Sequence, residues 1–293
     1  MTFSGVLTAL VTPFRDGAVD EAAFRAMVRR QLDAGIDGLV PCGTTGESAT
    51  LSADEHGAVI RWAVEEAAGQ VPVLAGVGSN CTRTTLDNAA RARAAGAQGL
   101  LVTAPYYNKP SQEGLFQHFA AVATAEPGVE VCVYDVPGRT GVKVAPATFA
   151  RLAELENITC IKDATADLAH AAEVRRLVGD RLALLSGDDF TTFPHVMVGG
   201  VGAISVASNI IPARMVAMVA AARAGRIAEA QAENASLQPF FASLFAQTNP
   251  LPVKTGLAHL GLCEEEFRLP LCPMDSAHRA AFIEGLAGIA PSA

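Results

Sequence analysis

Residues 6–40 read VLTALVTPFRDGAVDEAAFRAMVRRQLDAGIDGLV, which places an apolar run, a helical segment and a second apolar run in succession. After Asp20 the apolar side chains recur three and four residues apart, and Gly35 follows them as a stop signal. The apolar runs lack the polar alternation of a half-exposed strand, so both faces of each strand are expected to be covered. This stretch therefore predicts a strand, a helix and a second strand parallel to the first.

The same alternation continues along the chain. Ala-rich helical patterns replace it from about Pro212 to the C-terminus. Strand–helix units repeated eight times favour a closed (β/α)8 barrel, a TIM barrel, over an open sheet. We therefore expect a barrel catalytic domain over residues 1–222 and a C-terminal helical extension over residues 223–293. The eight apolar runs are Val6–Val11, Gly38–Val40, Val71–Val77, Gly99–Val102, Glu130–Tyr134, Ile158–Ile161, Leu182–Leu185 and Gly202–Val206.

Composition narrows the class of protein. No apolar stretch approaches the ~20 residues that cross a bilayer, and a net charge of −8 without a basic stripe argues against a nucleic-acid partner. Residues 1–5 show neither a secretory signal nor a lipidation motif, so a cytoplasmic location is expected. The six histidines and six cysteines lack the spacing of metal ligands, so we expect no metal.

Lysine is rare in this chain and marks a candidate nucleophile. Of the 22 basic residues only four are lysines, and an amine can lose its proton and attack a carbonyl, which a guanidinium cannot. Lys162 closes the apolar run Ile158–Ile161, where desolvation would favour the uncharged amine. Lys109 and Lys143 lie in loops and Lys254 begins the helical tail, so Lys162 has the most suitable setting.

Other polar residues follow the apolar runs, where a barrel places its active site. Tyr134 ends the fifth run and offers a hydroxyl that can relay a proton beside an amine. Arg139 can grip a carboxylate bidentately, although a solvated surface arginine is the alternative. Thr44 and Thr45, between two glycines, can direct hydroxyl and N–H groups at a carboxylate or phosphate; a plain turn is the alternative there.

Six motifs together carry a resemblance to a known family. Their order and spacing resemble the dihydrodipicolinate synthase family, which belongs to the N-acetylneuraminate lyase superfamily of (β/α)8 class I aldolases. The resemblance spans nearly the whole chain. It implies condensation of pyruvate with L-aspartate 4-semialdehyde to 4-hydroxy-tetrahydrodipicolinate, in the diaminopimelate route of lysine biosynthesis, with no metal or organic cofactor. The motifs are GTTGES at 43–48, YYNKPSQEGLFQHF at 106–119, YDVPGRTG at 134–141, IKDAT at 161–165, SGDD at 186–189 and NPLPVK at 249–254.

The resemblance also implies roles for single residues. Lys162 would form a Schiff base with pyruvate, and Tyr134 would transfer protons in a relay with Thr45 and Tyr107. Arg139 would hold the carboxylate of aspartate semialdehyde. A homodimer or homotetramer is implied as well, in which Tyr107 reaches the site of the neighbouring subunit. The residues expected to line the pyruvate site are Thr44, Thr45, Gly187 and Ile204.

Two other functions compete with this interpretation. A related pyruvate-dependent aldolase or dehydratase acting on a sugar acid is the nearer one, but such relatives generally lack an arginine at Arg139 and carry Ser in place of Thr44. A barrel that binds a small acid as a sensor or scaffold would not need Lys162, Tyr134 and Tyr107 together. This chain also departs from the resembled family at position 135, where Asp replaces the usual Asn and would add a negative charge beside Tyr134.

We expect L-lysine to inhibit this protein poorly. Lysine-inhibited members of the resembled family carry an acidic residue at the position of Thr84, which pairs with the ammonium group, and Ala53 replaces a frequent His. Thr84 offers only a neutral hydroxyl, so affinity should fall about ten- to a hundredfold, the equivalent of one charged hydrogen bond. An inhibition curve with a midpoint below about 1 mM lysine would show that another group replaces the acid.

Overall fold

The computed structural model describes residues 3–289. Eight parallel strands form one sheet in the order β4-β1-β10-β9-β8-β7-β6-β5, and a bridge between Leu39 and Val73 joins its two ends. The predicted (β/α)8 barrel is confirmed. The strands, with an antiparallel pair formed by β2 and β3, are β1 Gly5–Ala9, β2 Phe14–Arg15, β3 Ala18–Val19, β4 Gly38–Val40, β5 Leu74–Gly76, β6 Gly99–Thr103, β7 Glu130–Asp135, β8 Ile158–Asp163, β9 Ala183–Ser186 and β10 Gly202–Ser205.

Helices alternate with the barrel strands and then continue alone to the C-terminal part of the chain. The expected domain boundary at 222/223 falls one residue before the end of α9 and stays a prediction. Within residues 3–289 no helix is both long and apolar enough to cross a membrane. The helices are α1 Glu21–Asp33, α2 Ala53–Ala67, α3 Thr82–Ala94, α4 Gln112–Ala125, α5 Pro137–Thr140, α6 Pro146–Leu152, α7 Leu168–Val178, α8 Thr192–Met197, α9 Pro212–Arg223, α10 Ile227–Leu244, α11 Leu251–His259 and α12 Ser276–Leu286.

The strands separate two apolar layers. Side chains such as Leu7 and Ile204 fill the barrel interior, whereas Val6, Leu39 and Val133 pack between the sheet and the helices. Successive side chains of a strand face opposite sides of the sheet, so each strand contributes to both layers. This double covering explains why the strands read as apolar runs without polar alternation.

Tyr134 and Asp135, the last two residues of β7, face these two different layers. Tyr134 belongs to the barrel interior. Asp135 accepts a hydrogen bond from the backbone N–H of Val144 at 3.2 Å, and its Oδ2 lies 4.0 Å from Nε2 of His170. Burial raises the pKa of Asp135 to about 7. The expectation that Asp135 adds its charge beside Tyr134 is therefore wrong, because the carboxyl group lies on the helix side of the sheet.

The C-terminal extension is anchored to the barrel through a buried ion pair. Lys254 of α11 is 0% exposed, and its Nζ donates to Oε1 of Glu47 at 2.7 Å while lying 4.0 Å from the ring centroid of Phe14. Burial lowers the pKa of Lys254, and Glu47 opposes that shift. Glu47 has a left-handed φ of 52°, and its Oε2 accepts the backbone N–H of Arg268 at 3.3 Å. Lys254 is thus more buried than Lys162, which is 6% exposed. The sequence had indicated that Lys162, at the end of an apolar run, has the most apolar setting of the four lysines.

We expect Lys254→Met to destabilise the protein strongly. The substitution leaves the Glu47 carboxylate buried without its cation, which costs about 3–5 kcal/mol. Lys143→Met is the matched control, because Lys143 forms its ion pair with Asp167, at 2.9 Å, in a half-exposed position and should cost less than about 1 kcal/mol. Urea unfolding of both variants at one protein concentration measures the difference. Equal losses in the two variants would contradict a special role for the Lys254 pair.

Adding Glu47→Gln to Lys254→Met removes both charges of the pair. The double variant should recover part of the stability lost in Lys254→Met, because an uncompensated buried charge is the main cause of that loss. No recovery would mean that packing of the Lys254 side chain, and not its charge, stabilises this region.

Candidate active site

A cavity of about 590 Å³ opens at the carboxyl ends of the barrel strands. Thr44, Val136, Arg139 and Asn249 are among the residues that line it. Val136 follows Tyr134 by two residues, so the cavity begins next to the strand ends that carry Tyr134 and Lys162, although neither of those two lines it directly. Its other arm extends past β4 and α3 to Ser48, Ala53, His56, Thr84 and Tyr106.

Lys162 and Tyr134 lie side by side at the ends of β8 and β7. The two residues are paired in the parallel register, and Nζ of Lys162 lies 4.3 Å from the centroid of the Tyr134 ring. Both side chains are buried. Within residues 3–289 Lys162 forms no ion pair, in contrast to Lys254. Lys162 is therefore a buried amine that faces an aromatic ring and has no carboxylate partner among the described residues.

Gly187 lies against Lys162, and Ile204 lies in the apolar cluster that contains Tyr134. A Cβ atom at position 187 would lie 3.0 Å from both Cγ and Cε of Lys162 and 2.8 Å from Cβ of Ala164. Only glycine therefore leaves the Lys162 side chain its space. Ile204 of β10 belongs to the same interior cluster as Tyr134. The predicted residues Lys162, Tyr134, Gly187 and Ile204 are thus brought together.

The loop after β4 carries Thr44, which lines the cavity, and Thr45, which does not. Thr45 is buried, and its Oγ1 accepts a hydrogen bond from Nδ2 of Asn249 at 2.9 Å. The N–H groups of Gly46 and Ser48 both donate to the carbonyl of Gly43, at 3.1 and 3.4 Å. These amides close a turn and do not point at a ligand. Of the two possibilities for this loop, the turn therefore accounts for the backbone N–H groups of Gly46 and Ser48.

Arg139 lies on α5, directly after β7, and lines the cavity. One of its terminal nitrogens donates to the backbone carbonyl of Asn249 at 3.0 Å. Arg139 is exposed, and this one hydrogen bond ties its guanidinium to the C-terminal extension at the cavity wall.

Within one chain, Tyr107 does not lie beside the other predicted relay residues, Tyr134 and Thr45. Its side chain is 88% exposed and its backbone has a left-handed φ of 73°. Tyr106, its neighbour, lines the cavity instead. A role for Tyr107 beside Tyr134 and Thr45 stays a prediction that depends on a second subunit.

Two polar residues at the site were not singled out from the sequence. Asn249 contacts both Thr45 and Arg139, yet it lies 204 residues from Thr45 in the chain. Asp189 accepts hydrogen bonds from Ser205 Oγ at 2.6 Å and from two backbone N–H groups after β10, and burial raises its pKa to about 6. Membership of the motifs NPLPVK and SGDD was the only available signal for them.

No group of three or more His, Cys, Asp and Glu side chains in the described part of the chain is arranged to hold a metal ion.

The family model, the sequence relatives and the solved structures that this chain resembles all point to one family. The model of the dihydrodipicolinate synthetase family matches residues 2–287. A 4-hydroxy-tetrahydrodipicolinate synthase of Nitratidesulfovibrio vulgaris strain DP4 is 49% identical over 288 residues, 98% of each chain. One from Pelobacter propionicus is 50% identical over 278 residues, covering 95% of this chain and 96% of the relative. The crystal structure of dihydrodipicolinate synthase from Aquifex aeolicus superposes with a TM-score of 0.96 at 41% identity, covering 98% of each chain. By sequence and by fold, the chain belongs to the dihydrodipicolinate synthetase family.

Proposed function

We propose that this protein condenses pyruvate with L-aspartate 4-semialdehyde to 4-hydroxy-tetrahydrodipicolinate, in the diaminopimelate route of lysine biosynthesis. It is a lyase of the Schiff-base class I aldolase type. The observation that carries the proposal is the buried amine of Lys162 in a member of this family. It lies 4.3 Å from the Tyr134 ring at the carboxyl end of the barrel and forms no ion pair with residues 3–289.

The chemistry follows from the amine. Nζ of Lys162 attacks the C2 carbonyl carbon of pyruvate, and loss of water leaves an iminium that withdraws electrons from the neighbouring methyl group. Loss of a methyl proton then gives an enamine, whose carbon attacks the aldehyde of the second substrate. The amino group of that substrate displaces Lys162 from C2, which closes the ring and frees the enzyme. The iminium itself serves as the electron sink, so the scheme requires no metal or organic cofactor.

Specific roles are proposed for the surrounding side chains. Tyr134 passes protons to and from the carbinolamine, in a relay with Thr45 and Tyr107. Arg139 pairs with the carboxylate of aspartate semialdehyde, which its position on the cavity wall supports. The residues proposed to line the pyruvate site are Thr44, Thr45, Gly187 and Ile204.

The assembly and location belong to the same proposal. We infer a homodimer or homotetramer, because the ring of Tyr107 is 88% exposed and the family resemblance implies that this residue reaches the site of a neighbouring subunit. A cytoplasmic location accords with a role in amino-acid biosynthesis.

Pyruvate and borohydride together should give a stable covalent adduct on Lys162. The reductant converts the imine to a secondary amine, which peptide mass mapping can locate. Lys254 is the internal control: it is buried as well, but its amine is held in an ion pair with Glu47 at 2.7 Å. An adduct on Lys109, Lys143 or Lys254, or equal trapping in Lys162→Arg, would show that the nucleophile is misassigned.

Arg139→Ala should spare imine formation with pyruvate and impair the use of aspartate semialdehyde. Removing one charge-assisted pair of about 1.5–3 kcal/mol lowers kcat/KM for that substrate about ten- to a hundredfold. Arg139→Lys is the matched variant, since it keeps the charge but loses the bidentate geometry. A coupled assay with both substrates measures the effect. An unchanged kcat/KM in Arg139→Ala would contradict the role, and turnover of a sugar acid in its place would favour the alternative aldolase.

A further inference from the structure

Arg91 is a second arginine of the cavity, on the arm that extends past β4 and α3. It lies on α3, whereas Arg139 lines the part of the cavity that follows β7. The proposed reaction gives Arg139 a carboxylate to bind and leaves Arg91 without a role. One terminal nitrogen of Arg91 donates to Oδ1 of Asn88 at 2.7 Å, and its Nε is buried with no hydrogen-bond partner among residues 3–289. The arm therefore contains a charged donor that nothing in the described chain satisfies.

His56 of α2 lines the same arm and offers the complementary group, an acceptor. It is 5% exposed, and its Nε2 lies 2.8 Å from the carbonyl oxygen of Gly76. A carbonyl only accepts, so Nε2 carries the proton and Nδ1 of the neutral ring has a lone pair. Burial lowers the pKa of His56 and the charge of Arg91 adds to that shift, so the ring is neutral at neutral pH. Its Nδ1 is buried without a partner among residues 3–289.

The charges along the cavity favour an acid in this arm. Glu47 is the one acidic side chain among the described residues that line the cavity. Its two oxygens are occupied, Oε1 by Nζ of Lys254 and Oε2 by the backbone N–H of Arg268. Thr84, about two helical turns before Arg91, lines the arm with a neutral hydroxyl. The arm thus has a cation but no free carboxylate, which disfavours an ammonium group as its ligand.

We propose that this arm is a second binding site, for a small carboxylic acid that also carries a hydroxyl group. The carboxylate of the ligand pairs with the guanidinium of Arg91, and the hydroxyl of the ligand donates to Nδ1 of His56. Both unsatisfied buried groups then gain a partner, which removes the free-energy cost of leaving them without one. The inference goes beyond the proposed function, because neither residue takes part in the chemistry at Lys162.

Three pairs of acids test the ligand class with the full-length protein. Glycolate, 3-hydroxypropionate and 4-hydroxybutyrate place the hydroxyl at increasing distance from the carboxylate, and acetate, propionate and butyrate are their counterparts without a hydroxyl. Ligand-observed NMR titrations at neutral pH suit the weak binding of such small acids. They are made with Arg139→Ala, so that the other arginine of the cavity cannot bind the acid. At least one hydroxy acid should bind about tenfold more tightly than its counterpart, the effect of one hydrogen bond.

Substitutions in the same Arg139→Ala protein assign the two contacts. Arg91→Met should weaken binding of every acid about ten- to a hundredfold, and Arg91→Lys should lose less because it keeps the charge. His56→Leu should abolish the preference for hydroxy acids and leave the Kd of the unsubstituted acids within about threefold. Arg93→Met is the matched control and should change no Kd, since Arg93 lies on the same helix, pairs with Glu126 at 2.6 Å and does not line the cavity.

Three results would overturn the inference: no binding of any of the acids, the same Kd in Arg91→Met as in Arg93→Met, or tighter binding of L-lysine than of every hydroxy acid. The last would show that the arm selects an ammonium group. If His56→Leu does not fold, the paired acids decide by themselves, and equal Kd values within all three pairs contradict the role of His56. Failure of pyruvate and borohydride to label Lys162 would defeat the proposed function but not this inference, because the titrations require no turnover.

Discussion

Burial of the Lys254 ammonium against the Glu47 carboxylate is the constraint on which the upper part of the barrel depends. Removing either ion from water costs several kcal/mol, so such a pair adds little net stability but tolerates no change in its geometry. Here it fixes α11 against the loop that carries Thr44 and Thr45, and it holds Glu47 in a left-handed backbone conformation that non-glycine residues rarely adopt. The wall of the cavity is therefore built from both ends of the chain.

The two buried lysines of this protein, Lys254 and Lys162, differ in the side chains that surround their amines. Lys254 has a carboxylate at 2.7 Å and aromatic rings around it, which together stabilise its charged form. Lys162 has an aromatic ring but no ion pair within the described residues. Burial by itself therefore does not identify a nucleophile. What separates the two lysines in the structure is the carboxylate partner, which Lys254 has and Lys162 lacks among residues 3–289.

The features that could be predicted from the sequence are those set by patterns of neighbouring residues. The eight strands follow from apolar runs that each lie within a few residues, and Lys162, Tyr134, Gly187 and Ile204 converge because strand ends of a parallel barrel meet on one face. The contacts of Asn249 and Lys254 join residues 204 and 207 positions apart, which no periodicity encodes. The face on which Asp135 lies could have been predicted, because consecutive residues of one strand face opposite sides of the sheet and Tyr134 was expected in the site.

Asn249 and Lys254 lie late in the chain, so they also leave the ribosome late during translation. A nascent chain leaves the ribosome from its N-terminus, and its early parts begin to fold during synthesis. All eight barrel strands, and with them Lys162, have been synthesised once Ser205 is added, more than forty residues before Asn249. Until the last part of the chain emerges, Glu47 has no cation and Thr45 has no amide donor. Translation therefore supplies Lys162 first and the residues that complete the cavity wall last.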